Sequence, residues 1–258
     1  MIPKAATPDG GLPKVRPICL LDDIGKALER ILADRIVNWM EENPQAQLSE
    51  NQFGFSRQRS TCDALMKVKE LIQEVSNKGG LAVAVSLDIA NAFNLVPWTV
   101  IREALRTKGF PEYIRRIIDN YLSKRYITYP TNSGRMGHRA MQAGVPQGFV
   151  LGPLLWNLAY DNVLRVNMEP GYSVVCYADD TLIVATADNV ITACTRANIQ
   201  TSRVIRRIRD LGLTVSESKT EAVVFHGKRR PKVIPDIVVV HEYVQVKDHL
   251  KYLGIIIE

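Results

Sequence analysis

No stretch of this 258-residue chain stays apolar for the roughly 20 residues that a membrane span needs. The opening residues, MIPKAATPDGG, contain no apolar core, so they do not read as a secretory signal. Cysteine is scarce. Cys19, Cys62, Cys176 and Cys194 include no CxxC spacing, which argues against a zinc knuckle and against a disulfide scaffold. His138, His226, His241 and His249 form no HExxH-like pattern. Buried or solvated structural roles are the default for all eight. Internal repeats, low-complexity tracts and a regular βα alternation are also missing. Mixed strands and helices without that alternation predict an α+β fold.

Charge of one sign does not dominate either. Thirty-three Lys and Arg against 27 Asp and Glu give +6 and a pI near 9.1, which permits a polyanionic partner without requiring one. The surplus is uneven. Residues 196–232 carry ten basic and three acidic side chains, so the rest of the chain nets −1. Arg196, Arg203 and Arg207 share one helical face, and Ala193, Ala197, Val204, Ile208 and Leu211 share another. That pattern reads as an amphipathic helix with a solvated basic side.

The local patterns are legible. Prolines and glycines break up residues 1–20. From Asp22 or Asp23 to Glu42 the spacing of Ile24, Leu28, Ile31, Leu32 and Ile36 predicts a capped helix, stopped by Pro44. Ser60 with Asp63 predicts a capping box opening a helix to about Ser76. Leu81–Leu87 is a strand. Helices follow at about 98–107 and 111–123, then a weak hairpin at 127–130 and 137–143, then a Leu-rich helix at 150–166. Tyr172–Tyr177 and Thr181–Ala185 predict a hairpin, and Val190–Leu211 the longest helix. Short strands are expected at about 220–225, 233–240, 242–246 and 251–257.

Three segments carry candidate chemistry. The strand Leu81–Leu87 runs straight into Asp88, and Phe93 follows five residues later. Tyr177-Ala178-Asp179-Asp180 sets two carboxylates at a hairpin tip between apolar strands. Clustered carboxylates need a cation, and hard oxygen ligands without His or Cys select Mg²⁺ or Mn²⁺. Gly144-Val145-Pro146-Gln147-Gly148 offers close backbone approach and an amide before a helix. Each has a plainer reading by itself: a capping Asp, a turn-forming Asp pair, a loop with Pro at a helix start.

In this order, the three segments resemble motifs of the reverse transcriptase family: a strand-end Asp with an aromatic five residues on, PQG, and the YxDD box. Lys14-Val15-Arg16-Pro17-Ile18 is similar to its triphosphate-binding finger strand. Asn51-Gln52-Phe53-Gly54-Phe55 through Arg59-Ser60-Thr61 is similar to the finger loop and helix of non-LTR elements. Gly212-Leu213 with Lys219-Thr220 resembles the fourth motif, and Tyr252-Leu253-Gly254 the primer grip. The phrases RPICLLDDIGKALERI, SLDIANAFNLVPW and YLGI look most like arthropod type-1 elements that insert into ribosomal DNA. Ser56, where a basic residue is usual, and Phe149, where Ser is usual, depart from the pattern.

The resemblance implies a right-hand polymerase without its thumb: fingers over residues 1–80, and a palm over 81–258 whose mostly antiparallel sheet is backed by helices. Finger elements would be inserted at about 115–145, and the primer-grip region would span 242–258. It implies a fragment of a retrotransposon polyprotein, with an endonuclease domain in cis. Its activity would be RNA-directed DNA polymerisation in target-primed reverse transcription, made in the cytoplasm and acting in the nucleus. Partners would be an RNA template, a DNA primer or nicked target DNA, and dNTPs, with no membrane. Asp88, Asp179 and Asp180 would hold two Mg²⁺ ions roughly 3.5–4 Å apart, Mn²⁺ substituting. Lys219 would protonate pyrophosphate. Arg16, Lys14, Phe93, Gln147, Gly148 and Tyr177 would bind the nucleotide, Phe93 as a steric gate. Two other readings share the carboxylates: a degenerate remnant that only binds nucleic acid, and a two-metal nuclease.

Overall fold

The computed structural model describes residues 21–131, 134–146, 148, 150–166, 169–227 and 231–258, with 2–3, 15–16 and 130 as backbone alone. Lys14, Gln147 and Phe149 lie outside the described residues, and of Arg16 only the backbone is described. The chain divides into two compact units. One comprises residues 1–47 and 93–159, the other 48–92 and 160–258.

The first unit opens on a two-stranded pair, β1 (Ile2–Pro3) with β2 (Val15–Arg16). Helix α1 (Asp23–Glu42) begins where Asp22 Oδ1 accepts from Gly25 N at 2.7 Å, and it ends before Pro44. The predicted limits hold, but the buried face is turned. Ile24, Leu28 and Ile31 are exposed, while Glu29, Leu32, Ala33, Ile36 and Met40 point inward.

Glu29 accounts for the turn. It is only 3% exposed. Its carboxylate accepts from Val150 N at 3.0 Å, Leu151 N at 3.3 Å and the Tyr121 hydroxyl at 2.6 Å. Those backbone groups belong to the start of α6 (Leu151–Leu164), where unpaired N–H groups and the helix dipole favour an anion. The same unit holds α4 (Trp98–Thr107), α5 (Glu112–Leu122) and a ribbon of β4 (Tyr126–Pro130) with β5 (Met136–Ala140). Helices α4 and α5 pack through Ile101, Leu105, Ile114, Ile118 and Leu122, all buried and four residues apart within each helix.

The second unit carries the sheet. Helix α2 (Thr61–Asn77) starts with the expected capping box: Ser60 N donates to Asp63 Oδ2 at 2.7 Å, and Asp63 N to Ser60 Oγ at 3.4 Å. Strand β3 (Leu81–Leu87) is buried along nearly its whole length, which explains its unbroken apolar run. A short turn of helix, α3 (Ala92–Leu95), follows it and was not legible in the periodicity. Next come β6 (Tyr172–Tyr177), β7 (Asp180–Ala187), α7 (Val190–Asp210) and β8 (Glu221–Phe225).

The remaining strands are β9 (Ile237–Val239), β10 (Glu242–Val244), β11 (Val246–Lys247), β12 (Leu250–Tyr252) and β13 (Ile255–Ile257). Five strands form one sheet in the order β11-β8-β3-β7-β6, antiparallel except for the β11–β8 pair. Helix α2 packs on this sheet through Ala64 and Val68 against Ala82, Ala84 and Val184. Helix α7 buries its Ala193, Ala197, Val204 and Ile208 face against β3 and β7, as the wheel predicted.

The strand expected over 251–257 is instead a hairpin. Tyr252 pairs with Ile255, and both Leu253 (φ 49°) and Gly254 (φ 85°) are left-handed. Positive φ at both central residues marks a type I′ turn, which a continuous apolar reading overlooks. Similarly, β9 covers only the end of the expected 233–240 strand.

Glu29→Ala should cost about 1.5–3 kcal/mol, because three donors lose a charged acceptor. Glu29→Gln, which keeps an acceptor, should cost less. Urea midpoints at constant m-value would show this; a loss within about 0.5 kcal/mol, typical of surface changes, would contradict it.

Candidate active site

Strand register gathers the acids. Leu87 pairs with Thr181 on β7, and Tyr177 pairs with Asp180 across the β6–β7 turn. Asp88, one residue beyond β3, therefore comes to the same sheet edge as the turn that bears Asp179 and Asp180. The segment past β3 is held by three backbone contacts. Ser216 N donates to Asp88 O at 2.7 Å, Ala90 N to Thr214 O at 2.9 Å, and Ile89 bridges Val215. This brings the segment after Gly212-Leu213 alongside Asp88. Lys219, in the 3-10 turn Glu217–Lys219, sets its Nζ 3.1 Å from Asp88 Oδ2. The Lys219 side chain is 67% exposed and that of Asp88 35%, so the pair is open to solvent.

Partial desolvation, then repulsion from Asp179 and Asp88, pushes the Asp180 carboxyl up to about 6. Asp180 stands exposed at the turn, so mutual repulsion is the part of this shift that geometry shows most directly. A divalent cation would cancel it. Among the described residues no three His, Cys, Asp or Glu close a cage around one ion. Mg²⁺ does not require one: it takes one or two carboxylates and completes its shell with water and phosphate oxygens. The donor set is all oxygen, it is crowded, and it already attracts an ammonium at Asp88. The residues present fit a hard divalent ion.

The turn itself is strained. Ala178 has φ +60°, and positive φ at the first central residue alone is a type II′ feature that normally selects Gly. A left-handed Ala costs roughly 1–2 kcal/mol. The offset comes from Gln52, a residue 2% exposed. Its Oε1 accepts from Ala178 N at 2.9 Å and from Gly54 N at 3.0 Å, and its Nε2 donates to Ala178 O at 3.2 Å. Cys176 Sγ donates to the same carbonyl at 3.2 Å. Burial pushes that thiol up to about 12, so it stays a protonated donor.

The loop bearing Gln52 is laced to β6. Phe53 N donates to Cys176 O at 2.7 Å and Cys176 N to Asn51 O at 2.8 Å. Further back, Ser49 N donates to the buried Asp161 Oδ1 at 2.6 Å. Gly54 passes so close to the turn that a Cβ there would lie 2.2 Å from Ala178 N. The chain at 51–55, expected as a finger loop, supports the acidic turn. Its Gln and Gly spacing was visible in the sequence, but nothing local tied it to residue 178.

Other predicted residues fall as follows. Tyr177 is half-buried and packs on the sheet's core cluster. Tyr252 is buried with its hydroxyl donating to Val175 O at 3.3 Å, and Leu253 packs on the same cluster. In the first unit, Phe93 is half-buried and stacks on Trp156, centroids 5.1 Å apart. Val145 N donates to Phe93 O at 2.7 Å and Gly144 N to Val96 O at 2.8 Å, so the Gly144-Val145-Pro146 segment and the Phe93 turn form one local assembly. Gly148 adopts φ +100°, a conformation that favours glycine.

Gln52→Ala should take the shared acceptor from Ala178 N and Gly54 N, at about 1–3 kcal/mol for each, and leave Ala178 O with Cys176 Sγ as its donor. Gln52→Glu should rescue only partly, since a carboxylate accepts but does not donate. A denaturation midpoint equal to wild type for Gln52→Ala would refute the clamp.

A second expectation concerns pH. The folded Asp180 carboxyl holds its proton near pH 6, where an unfolded one, with its ordinary value of 3.8, is ionised. Folded protein thus binds the extra proton between those values, and in metal-free buffer its stability falls as pH rises from about 4 through 6. Asp180→Asn should raise the melting temperature at pH 7 and leave it nearly unchanged at pH 4. Lowering it equally at both would contradict the sign.

The chain is similar to known proteins in sequence and in fold. Residues 2–257 match the family model described as reverse transcriptase (RNA-dependent DNA polymerase). The chain is 29% identical to the probable RNA-directed DNA polymerase from transposon X-element of Drosophila melanogaster, over 100% of this chain and 28% of that protein. It is 27% identical to the Pol polyprotein of type-1 retrotransposable element R1 of Bradysia coprophila, over 94% of this chain and 23% of the relative. It is 25% identical to the RNA-directed DNA polymerase from mobile element jockey of Drosophila melanogaster, over 100% and 28%. The chain thus spans about a quarter of the length of these relatives. In fold it is similar to apo telomerase of Candida tropicalis, with a TM-score of 0.62 at 12% identity over 90% of this chain and 43% of that one. The chain belongs to the reverse transcriptase family.

Proposed function

We propose that this chain is the part of a retrotransposon polyprotein that adds dNTPs to a DNA 3′ end on an RNA template. The observation that carries this reading is the meeting of Asp88 with the Asp179-Asp180 turn at one sheet edge, braced by Lys219 and Gln52. The primer would be nicked target DNA, an endonuclease domain would lie in cis, and the site of action would be the nucleus. No described helix is long and apolar enough to cross a membrane. The sheet-bearing residues 81–258 would supply the palm and residues 1–80 the fingers, with finger elements at about 115–145.

Carboxylate oxygens of Asp88 and Asp179 would hold two divalent cations, Mg²⁺ or Mn²⁺, and Asp180 would support them. Those ions, when bound, would favour ionisation of the primer hydroxyl and offset charge on the leaving group. The bond formed joins the 3′ oxygen to the α-phosphorus, and the bond broken releases pyrophosphate. Lys219 Nζ carries the proton that pyrophosphate would take. Its contact with Asp88 supports this role over that of a merely solvated lysine.

Arg16 and Lys14 would neutralise the triphosphate. Phe93, Gln147, Gly148 and Tyr177 would shape the nucleotide's pocket, with Phe93 as the sugar gate. The Trp156 stack stiffens that ring and leaves it half-exposed, as a gate needs. The Tyr252-Leu253-Gly254 turn would steady the primer end.

Primer extension on an RNA template with Mg²⁺ tests this reading. Asp179→Asn and Asp88→Asn should abolish extension while the melting temperature is retained. Lys219→Ala should lower the maximal rate about 10²–10⁴-fold, the usual worth of a general acid. Wild-type extension by Asp179→Asn would refute the assignment.

A further inference from the structure

The basic side of α7 plays no part in the chemistry above. Ala193, Ala197, Val204 and Ile208 are turned to the sheet. At about 100° per residue, Ile199, Arg206 and Asp210 fall on the opposite side, and all three are exposed. A groove of about 1020 Å³ opens there, lined by α7 and by the segment that follows α6. Every residue that lines it belongs to the second unit.

The lining is part apolar and part basic. Ile199 and Val166 give it an apolar patch, and Arg165, Arg203, Arg206 and Arg207 line it as well. Two of these arginines already hold carboxylates. Arg165 Nε donates to Asp161 Oδ2 at 2.6 Å, and Arg203 Nη2 to Glu169 Oε1 at 3.0 Å. Among the described residues no acid pairs with Arg206 or Arg207. A guanidinium is weakly hydrated and presents a planar fork that matches a carboxylate, which is why arginine is frequent in protein interfaces.

We infer that this groove docks an acidic, amphipathic helix of a partner protein. Its carboxylates would pair with Arg206 and Arg207, and its apolar side chains would rest on Ile199 and Val166. Charge complementarity selects this occupant, because carboxylates on Arg206 and Arg207 would extend the pairing that Arg165 and Arg203 already show. The length fits too. From Ile199 to Asp210 the rise along α7 is roughly 16 Å, which is three turns of a helix laid beside it. A nucleic-acid backbone would use the groove poorly. Glu169 and Asp210 would repel its phosphates, and the Ile199–Val166 patch would gain no apolar partner. Among the described residues no aromatic side chain lines the groove to stack a base.

The probe is a fluorescein-labelled peptide of three Glu-Glu-Leu-Leu repeats, read by anisotropy at low salt with the full chain. Mg²⁺, primer and dNTPs are left out, so polymerisation does not enter the measurement. The peptide should bind saturably. Arg206→Gln/Arg207→Gln should weaken binding about 2- to 30-fold, the worth of two exposed ion pairs, and Arg206→Glu/Arg207→Glu should weaken it further. Ile199→Ser, or serine in place of leucine in the peptide, should each cost about tenfold. These positions are exposed, so the melting temperatures of the variants should match wild type. Absence of saturable binding, or equal affinity for the leucine and serine peptides, would overturn the inference. Displacement of the peptide by a 12-nucleotide single-stranded DNA that itself loses affinity in Arg206→Glu/Arg207→Glu would also overturn it, making the groove a general polyanion site.

Discussion

The acidic edge of the sheet depends on one buried amide. Ala178 must stand in a left-handed conformation for β6 to reverse into β7 in two residues, and alanine resists that conformation. Gln52 closes on both its N–H and its carbonyl, while Cys176 adds a second donor. Burial makes these bonds decisive, since an unmade hydrogen bond there forfeits solvation as well. Gly54 makes the close approach feasible. The direction of Asp179 and Asp180 is thus set 126 residues away in sequence, by a side chain that takes no part in bond making.

Electrostatics runs the opposite way to packing at this edge. The fold crowds Asp88, Asp179 and Asp180, and their repulsion raises the Asp180 carboxyl. Lys219 relieves part of the field at Asp88, but as an exposed pair it contributes little to stability. The divalent cations proposed for this site would relieve that repulsion. Polar groups serve a similar purpose in the first unit, where the buried Glu29 takes the N-terminus of α6. Both cases place a polar group inside a core only where several fixed partners meet it.

Most of the elements were legible because their signals are local. The Asp22 and Ser60 caps, the apolar run of β3 and the amphipathic spacing of α7 all predicted what the structure contains. The departures have one local cause and one distant one. Leu253 lies left-handed in a type I′ turn although it reads as strand. Ile24, Leu28 and Ile31 share a helical stripe, yet a buried carboxylate on another stripe turns them outward.

For the site, residue types and their order were readable. Asp88, the Asp179-Asp180 pair, Phe93, the Gly144–Gly148 loop and Lys219 carry recognisable chemistry in one dimension, and these carried the resemblance to the family. What tertiary structure alone decided is which of them meet and what holds them. Strand register put Asp88 at the edge of the Asp179-Asp180 turn, and a 3-10 turn brought Lys219 to Asp88. Gln52 became the support of Ala178, and Phe93 joined the Gly144–Pro146 segment through Val145. Caps and periodicity are encoded within a few residues of one another. Contacts between distant segments are chosen by register and by which polar groups must be satisfied when the core closes, and no local pattern contains that information.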